Sequence, residues 1–191
     1  MSGDGSAGPN GFDGKLLLAF ARGTIAERFG GPPVIRPPGL PWLDELRAVF
    51  VSLKIAGELR GCVGQWAARF PLFEAVREAA RNAAFADPRF SPLGEHELAE
   101  LRCEVSVLSP LEPLEVHDEA ELLLKLRPGV DGLVLSHEFR SALFIPEMWK
   151  QLPEPRDFVS WLKRKAGLPA HGWLTGTKAK RFTAEHWEEP A

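Results

Sequence analysis

The residues best suited to chemistry lie in one short segment, Leu59 to Gly64, which reads Leu-Arg-Gly-Cys-Val-Gly. Arg60 and Cys62 are two positions apart, so their side chains share one face of a β-strand. The reactive form of a cysteine is the thiolate, and a neighbouring guanidinium lowers a thiol pKa from its ordinary value of about 8.5. Gly61 and Gly64 let a ligand or another backbone approach closely. The segment therefore predicts a cleft in which Cys62 is catalytic and Arg60, Gly61 and Gly64 contact the ligand.

Three further side chains are expected in the same cleft. Asp87 and Arg89 flank a proline that ends a predicted helix, and loop residues at such places often bind ligands. Glu104 lies in a valine-rich strand, where its carboxylate would orient substrate or transfer protons. Structural readings stay open for each of them. Asp87 and Arg89 could form an ion pair that fixes the helix end, Glu104 could neutralise an arginine, and Cys62 could be a small packed residue.

The remaining polar residues do not predict a metal site. The chain has 5 histidines without metal-ligand spacing, and its 2 cysteines form neither a disulfide framework nor a zinc quartet. The sequence contains no glycine-rich phosphate loop and no serine nucleophile elbow. We therefore expect no metal, and the sequence leaves any cofactor unknown.

The segment from Leu59 to Gly64 resembles the signature hexapeptide of the AMMECR1 family, and residues 87–92 (Asp-Pro-Arg-Phe-Ser-Pro) are similar to its second motif. The later motifs match in the same order, at Glu104–Leu108, Gly132–Leu133, Leu143–Pro146 and Lys165–Leu168. The resemblance covers the chain from about Asp13 to the C-terminus. It departs from the family at Glu147, because an amide side chain usually follows the proline there.

The resemblance implies an intracellular α+β protein whose activity is not established. It also implies an association with a Memo-like protein and a radical-SAM protein, since bacterial and archaeal members of the family share that association. Finally, the segments that carry Cys62, Asp87 and Glu104 all resemble motifs of this one family. The resemblance therefore supports the convergence of these residues on one cleft.

Composition limits the classes of partner. The 191 residues suit one domain, or one domain with a smaller lobe, and the net charge of -3 gives no general attraction to nucleic acid or anionic membrane. No apolar run approaches the roughly 20 residues that a membrane span needs. The Gly/Ser-rich N-terminus is no signal peptide, so we expect residues 1–12 to be disordered. These features predict a cytoplasmic protein with reduced thiols.

The strand that contains Cys62 is predicted to pair with the strand from Ala48 to Ile55. A three-residue loop, 56–58, would place Val63 opposite Val51, so that the apolar faces of the two strands agree. A loop of Gly57-Glu58 alone would bury a guanidinium on the apolar face, at a cost of several kcal/mol unless it is paired. The three-residue loop is therefore predicted, barring a bulge at one of the glycines.

This register has a consequence for charge. It places Arg60 opposite Lys54 and Cys62 opposite Ser52 on the second face of the sheet. Two cations side by side need a carboxylate or a bound anion. The register therefore supports an anionic ligand beside the thiol.

The order of elements predicts an α+β fold, mainly an antiparallel sheet flanked by helices, with a smaller secondary lobe at about residues 93–130. Residues 13–191 are expected to form the AMMECR1-like domain. Two functions fit these observations. The first is a cysteine-dependent enzyme that acts on a small anionic substrate. The second is a non-catalytic binding or adaptor module that works with Memo-like and radical-SAM proteins.

Overall fold

The computed structural model describes residues 11–190. The predicted disordered tail, residues 1–12, lies outside the described part of the chain except for Gly11 and Phe12, and the Phe12 ring is buried. The helices are α1 (Gly14–Glu27), α2 (Leu72–Phe85), α3 (Glu119–Lys125) and α4 (Pro155–Lys165). Short 3-10 turns cover Pro41–Asp44, Glu95–Glu97 and Pro146–Lys150.

Eight strands form two four-stranded sheets within the described residues. The strands are β1 (Leu46–Ile55), β2 (Glu58–Pro71), β3 (Arg102–Leu108), β4 (Glu112–Leu114), β5 (Gly132–His137), β6 (Arg140–Phe144), β7 (Lys178–Phe182) and β8 (Ala184–Glu188). One sheet has the order β2-β1-β3-β8 and the other has the order β4-β7-β5-β6. The pairs β1–β2, β1–β3, β4–β7, β5–β6 and β5–β7 are antiparallel, which confirms the predicted α+β class.

The described chain divides into two compact units, residues 11–108 with 185–190 and residues 109–184. The first unit contains α1, α2 and the sheet β2-β1-β3-β8. The second contains α3, α4 and the sheet β4-β7-β5-β6. The lobe predicted at about residues 93–130 overlaps the second unit from residue 109 onward and stays a prediction. No helix among the described residues is both long enough and apolar enough to cross a membrane.

The core of the first unit forms where the apolar sides of its helices meet one face of its sheet. Asp13 caps the N-terminus of α1, because its carboxylate accepts the Leu16 N–H at 3.1 Å. Along β1, the buried residues Val49, Val51 and Leu53 alternate with Phe50 and Ser52, so the three buried side chains share the core face. The opposite side of this sheet, which we call the polar face, carries Ser52, Cys62, Glu104 and Ser106.

The turn between β1 and β2 differs from the prediction. It has two residues, Ala56 and Gly57, with φ of 50° and 83°, which is typical of the tight turns that join twisted hairpins. Lys54 therefore lies opposite Leu59, and the ladder resumes with Leu53 opposite Gly61. The extra residue between them, Arg60, forms a β-bulge.

The bulge decides which parts of the predicted register are correct. The three-residue loop and the pairing of Arg60 with Lys54 are wrong. The pairing of Cys62 with Ser52 and of Val63 with Val51 is confirmed, because the bulge shifts β2 by one residue beyond Arg60. The thiol is thus on the polar face, as expected.

The second unit has its own core. Its β5–β6 hairpin turns through Glu138 and Phe139. The Trp149 ring stacks on Phe158 at a centroid distance of 3.9 Å, and the indole N–H donates to the Asp131 carbonyl at 2.7 Å. This core is separate from the segments that carry the predicted site residues.

Candidate functional site

Cys62 lies on β2, the edge strand of its sheet. The loop after α2 binds the outer side of the strand at this residue. The Cys62 N–H donates to Asp87 Oδ2 at 2.9 Å, and the Cys62 carbonyl accepts from Arg89 Nη2 at 3.1 Å. On an edge strand these backbone groups would otherwise face solvent or another chain. The loop after α2 therefore fixes the backbone of Cys62 from outside the sheet.

Asp87 and Arg89 act together in this contact. Arg89 Nε and Nη2 donate to the two Asp87 oxygens at 3.0 and 2.7 Å, and the Arg89 N–H donates to Oδ1 at 3.1 Å. The Asp87 side chain is only 3% exposed. The Arg89 guanidinium, followed by the N–H groups of Cys62 and Arg89, holds the pKa of the Asp87 carboxyl far below its usual range. Asp87 is thus ionised at neutral pH and supports the strand.

Arg60 is turned into an ion pair of its own. Its Nε and Nη2 donate to the Glu97 carboxylate at 2.7 and 3.0 Å, and Nη1 donates to the Ser91 carbonyl at 2.9 Å. The Arg60 side chain is 16% exposed, and its hydrogen bonds are the main cause of the lowered pKa of Glu97. Arg60 therefore has a protein carboxylate where a ligand anion was expected.

Of the two arginines, Arg89 has the more accessible side chain, at 54% exposed. Both guanidinium groups lie near the Phe90 ring, Arg60 at 6.0 Å and Arg89 at 5.4 Å from its centroid. The pKa of Arg89 is raised, first by Asp87 and to a smaller degree by the nearby Cys62 sulfur. Of these two cations, Arg89 is therefore the more accessible to an incoming anion.

The thiol receives a hydrogen bond from within the sheet. Ser52 Oγ donates to Cys62 Sγ at 3.2 Å, and the thiol is half-buried. Because Cys62 directs its backbone groups away from β1, this pair lacks backbone hydrogen bonds, and side chains of such pairs lie close together.

Glu104 continues the same row of side chains. It lies opposite Ser52 on β3, so the polar face carries Cys62, Ser52 and Glu104 on three neighbouring strands. Glu104 is 9% exposed, and its carboxylate forms an ion pair with Lys54. The structure thus brings Glu104 to the face of the thiol, with Ser52 between them.

The two glycines of the segment make room for the protein itself. A Cβ at Gly61 would lie 2.1 Å from the Ala83 carbonyl oxygen, because α2 crosses the strand there. A Cβ at Gly64 would lie 2.3 Å from the Val49 carbonyl oxygen and 2.4 Å from the Phe50 ring. Their proposed contact with a ligand stays a prediction.

A cluster suited to metal binding lies at the β3–β8 side of the polar face. Glu104, His186 and Glu188 each offer one ligand atom, and these atoms all lie within 4.8 Å of one another. The Ser106 hydroxyl contacts His186 Nδ1 at 3.0 Å. Glu104 and Glu188 also line an open cleft of about 540 Å³, together with Lys54 and Arg102.

Cys103 differs from Cys62 in every respect that matters for reactivity. It is on the core face and fully buried. Burial raises the pKa of the Cys103 thiol to about 12, with a smaller contribution from Glu189. Glu104, the next residue, is not among the causes, because its side chain lies on the opposite face of the strand.

Several of these residues could not be found by spacing alone. Glu97 lies 37 positions after Arg60 in a 3-10 turn, and nothing in the sequence marks it as the partner of that arginine. His186 and Glu188 belong to a strand 80 residues beyond Ser106. Their alternation along β8 could have indicated a shared face, but the neighbouring strand could not be known.

Comparison with known proteins gives a consistent family. The AMMECR1 family model matches residues 18–187. A protein of Methanothermobacter thermautotrophicus is 38% identical over 181 residues, covering 93% of this chain and 94% of its own length, and one of Thermococcus gammatolerans is 41% identical over 189 residues, covering 92% and 90%. The crystal structure of an uncharacterized protein from Pyrococcus horikoshii superposes with a TM-score of 0.83 at 35% identity, covering 92% of this chain and 91% of that one.

Proposed function

Because the chain belongs to the AMMECR1 family, we propose that it carries out a cysteine-dependent reaction on a small anionic substrate at the polar face, with Cys62 as the nucleophile. One observation carries this proposal. The Cys62 sulfur accepts a hydrogen bond from Ser52 while both backbone groups of the residue are fixed by Asp87 and Arg89. A cysteine that only fills space needs none of these three contacts.

Each neighbour has a role in this proposal. Ser52 stabilises the thiolate, and Arg89, whose side chain is largely exposed, binds the anionic group of the substrate. Asp87 positions Arg89 and the strand. Arg60 has a positioning role through Glu97 and Phe90, in place of the direct ligand contact that the sequence suggested. The sequence predicted that Glu104 transfers protons. Its carboxylate forms an ion pair with Lys54, so Lys54 would have to move before Glu104 could accept a proton.

Cys62 is expected to react with iodoacetamide at neutral pH in the folded protein, whereas Cys103 is expected to stay unmodified. Cys62 is half-buried on the polar face and has a hydroxyl donor, while Cys103 is enclosed in the core. Replacement of Ser52 by alanine should slow the alkylation of Cys62 about tenfold or more, since the loss of a hydrogen bond to a charged acceptor costs about 1.5–3 kcal/mol. The measurement is the alkylation rate at each cysteine by peptide mass spectrometry.

A matched variant separates the effect of the hydroxyl from a general loosening of the strand. Ser106→Ala removes a hydroxyl from the same face without touching Cys62, because the Ser106 hydroxyl contacts His186. It should leave the alkylation rate unchanged. Equal alkylation rates at Cys62 and Cys103, or no modification of Cys62, would mean that Cys62 is a packed structural residue. Either result would contradict the proposal that Cys62 is a nucleophile.

The second candidate is the adaptor module that works with Memo-like and radical-SAM proteins. It is favoured by the exposed apolar residues Leu59, Trp66 and Phe70, which lie along the edge strand β2. This function predicts that Trp66→Ser weakens binding of a purified Memo-like protein while Cys62→Ser does not. The nucleophile proposal makes no such prediction, so a binding titration with both variants distinguishes the two functions.

A further inference from the structure

We propose that Glu104, His186 and Glu188 bind a divalent first-row transition-metal ion on the polar face, at the wall of the cleft between β1, β3 and β8. The three ligand atoms come from two strands that are adjacent in the sheet, and all lie within 4.8 Å of one another. Atoms that share one ion at about 2.1 Å are separated by roughly 3 to 4 Å. A small rotation of one carboxylate therefore closes the set around an ion.

The chemistry of the ligands selects the class of ion. One imidazole and two carboxylates suit Mn²⁺, Fe²⁺, Co²⁺ or Zn²⁺, whereas Ca²⁺ and Mg²⁺ prefer sites made of oxygen alone. Three protein ligands leave further positions free for water or substrate. The cleft of about 540 Å³ that Glu104 and Glu188 line provides the space for them.

The histidine is already oriented as a metal ligand would be. His186 Nδ1 contacts the hydroxyl of the buried Ser106 at 3.0 Å, and Nε2 lies 3.9 Å from Glu188 Oε2. In metal sites the second ring nitrogen of a ligating histidine is commonly held by such a partner, which fixes the tautomer and the ring. Nε2, the ring nitrogen on the side of Glu188, is therefore the atom that would bind the ion.

Lys54 is the cation that an ion would displace. Its ammonium group forms an ion pair with the Glu104 carboxylate. The Lys54 side chain is 38% exposed, so it can leave toward solvent at little cost, while the mostly buried Glu104 cannot. Once Lys54 has left, the two carboxylates carry two negative charges, which a dication would balance.

This site is independent of Cys62. It assigns Glu104 to ion binding in place of proton transfer, so the nucleophile proposal can fail while the metal site stands, and the reverse also holds. In the pattern of the strands the two sites lie on one face, with Ser52 between Cys62 and Glu104.

The test is a titration of the untagged full chain with Co²⁺, followed by the visible absorption bands that report nitrogen and oxygen ligands. The native chain should bind one Co²⁺. Glu104→Gln and His186→Ala should each weaken binding tenfold or more, and Ser106→Ala about tenfold, since loss of an orienting partner typically costs 10- to 100-fold. Lys54→Met should tighten binding, because it removes the competing ammonium group.

Glu100→Gln is the matched control. Glu100 lines the same cleft but is not one of the three ligands, so its removal takes away the same charge and should change affinity less than threefold. Absence of the bands, or an equal loss in Glu100→Gln and Glu104→Gln, would overturn the site. If Glu104→Gln fails to fold, His186→Ala and Ser106→Ala decide the question, and unchanged binding in both would also overturn it.

Discussion

Gly61→Ala is expected to destabilise the first unit by about 3 kcal/mol or more. The added methyl would lie 2.1 Å from the Ala83 carbonyl oxygen, and that atom belongs to the backbone of α2. A side chain could rotate away, but here the whole helix must move from the sheet or the strand must shift. Either movement separates the apolar stripe of α2 from Val51 and Leu53, which are fully buried against it.

Thermal unfolding measures this loss, with Gly39→Ala as the control. Gly39 has a φ of 78° and open space around it, so an alanine there pays only the backbone strain of about 1–2 kcal/mol. Gly61 has an ordinary φ, so its substitution isolates the steric effect. Equal losses of stability in the two variants would mean that α2 moves away from the strand at little cost. The close approach of α2 would then not explain the glycine at position 61.

The register of the β1–β2 hairpin could be predicted only in part. Apolar alternation along β1 correctly placed Val63 opposite Val51 and Cys62 opposite Ser52. The turn, however, is set by its own two residues, Ala56 and Gly57, and a two-residue turn leaves the strands one position out of step with that alternation. The bulge at Arg60 reconciles the two requirements. Because the turn and the core each act locally, the sequence does not reveal which residue absorbs the difference.

Ion-pair partners were harder to predict than faces. Lys54 and Arg60 were expected to share an anion, yet each has its own carboxylate, Glu104 and Glu97. Alternation along a strand gives the face of a side chain, but its partner across the fold depends on loops that have no period. The proposed metal site of Glu104, His186 and Glu188 illustrates the same limit, because the 5 histidines show no ligand spacing in the sequence.

The second large effect is expected at Asp87. Asp87→Ala should cost about 2–4 kcal/mol, because it removes the partner of the Cys62 N–H and of Arg89 together. Asp87→Asn retains an oxygen that can accept from Cys62, so its cost should be smaller. The variants are compared by urea unfolding at about pH 7. Equal costs would mean that the charge of Asp87 accounts for all of the effect and the bond to Cys62 for none.

The pH dependence separates the charge from the hydrogen bond. Contact with Arg89 and with the two N–H groups lowers the pKa of Asp87 in the folded protein, relative to about 3.9 in an unfolded chain. The carboxylate therefore stabilises the fold fully above about pH 4, and this stabilisation declines as pH falls further toward the folded pKa.

The variant Asp87→Asn has no carboxyl group that titrates at this position. The difference in unfolding free energy between the native chain and Asp87→Asn should be constant near neutral pH and shrink below about pH 4. Because Glu27, Glu97 and Glu189 also have lowered pKa values, the difference between the two proteins, rather than either curve alone, isolates Asp87. A difference that stays constant through this acidic range would show that Asp87 acts as a neutral hydrogen-bond acceptor and that its ion pair with Arg89 adds nothing to the stability of the fold.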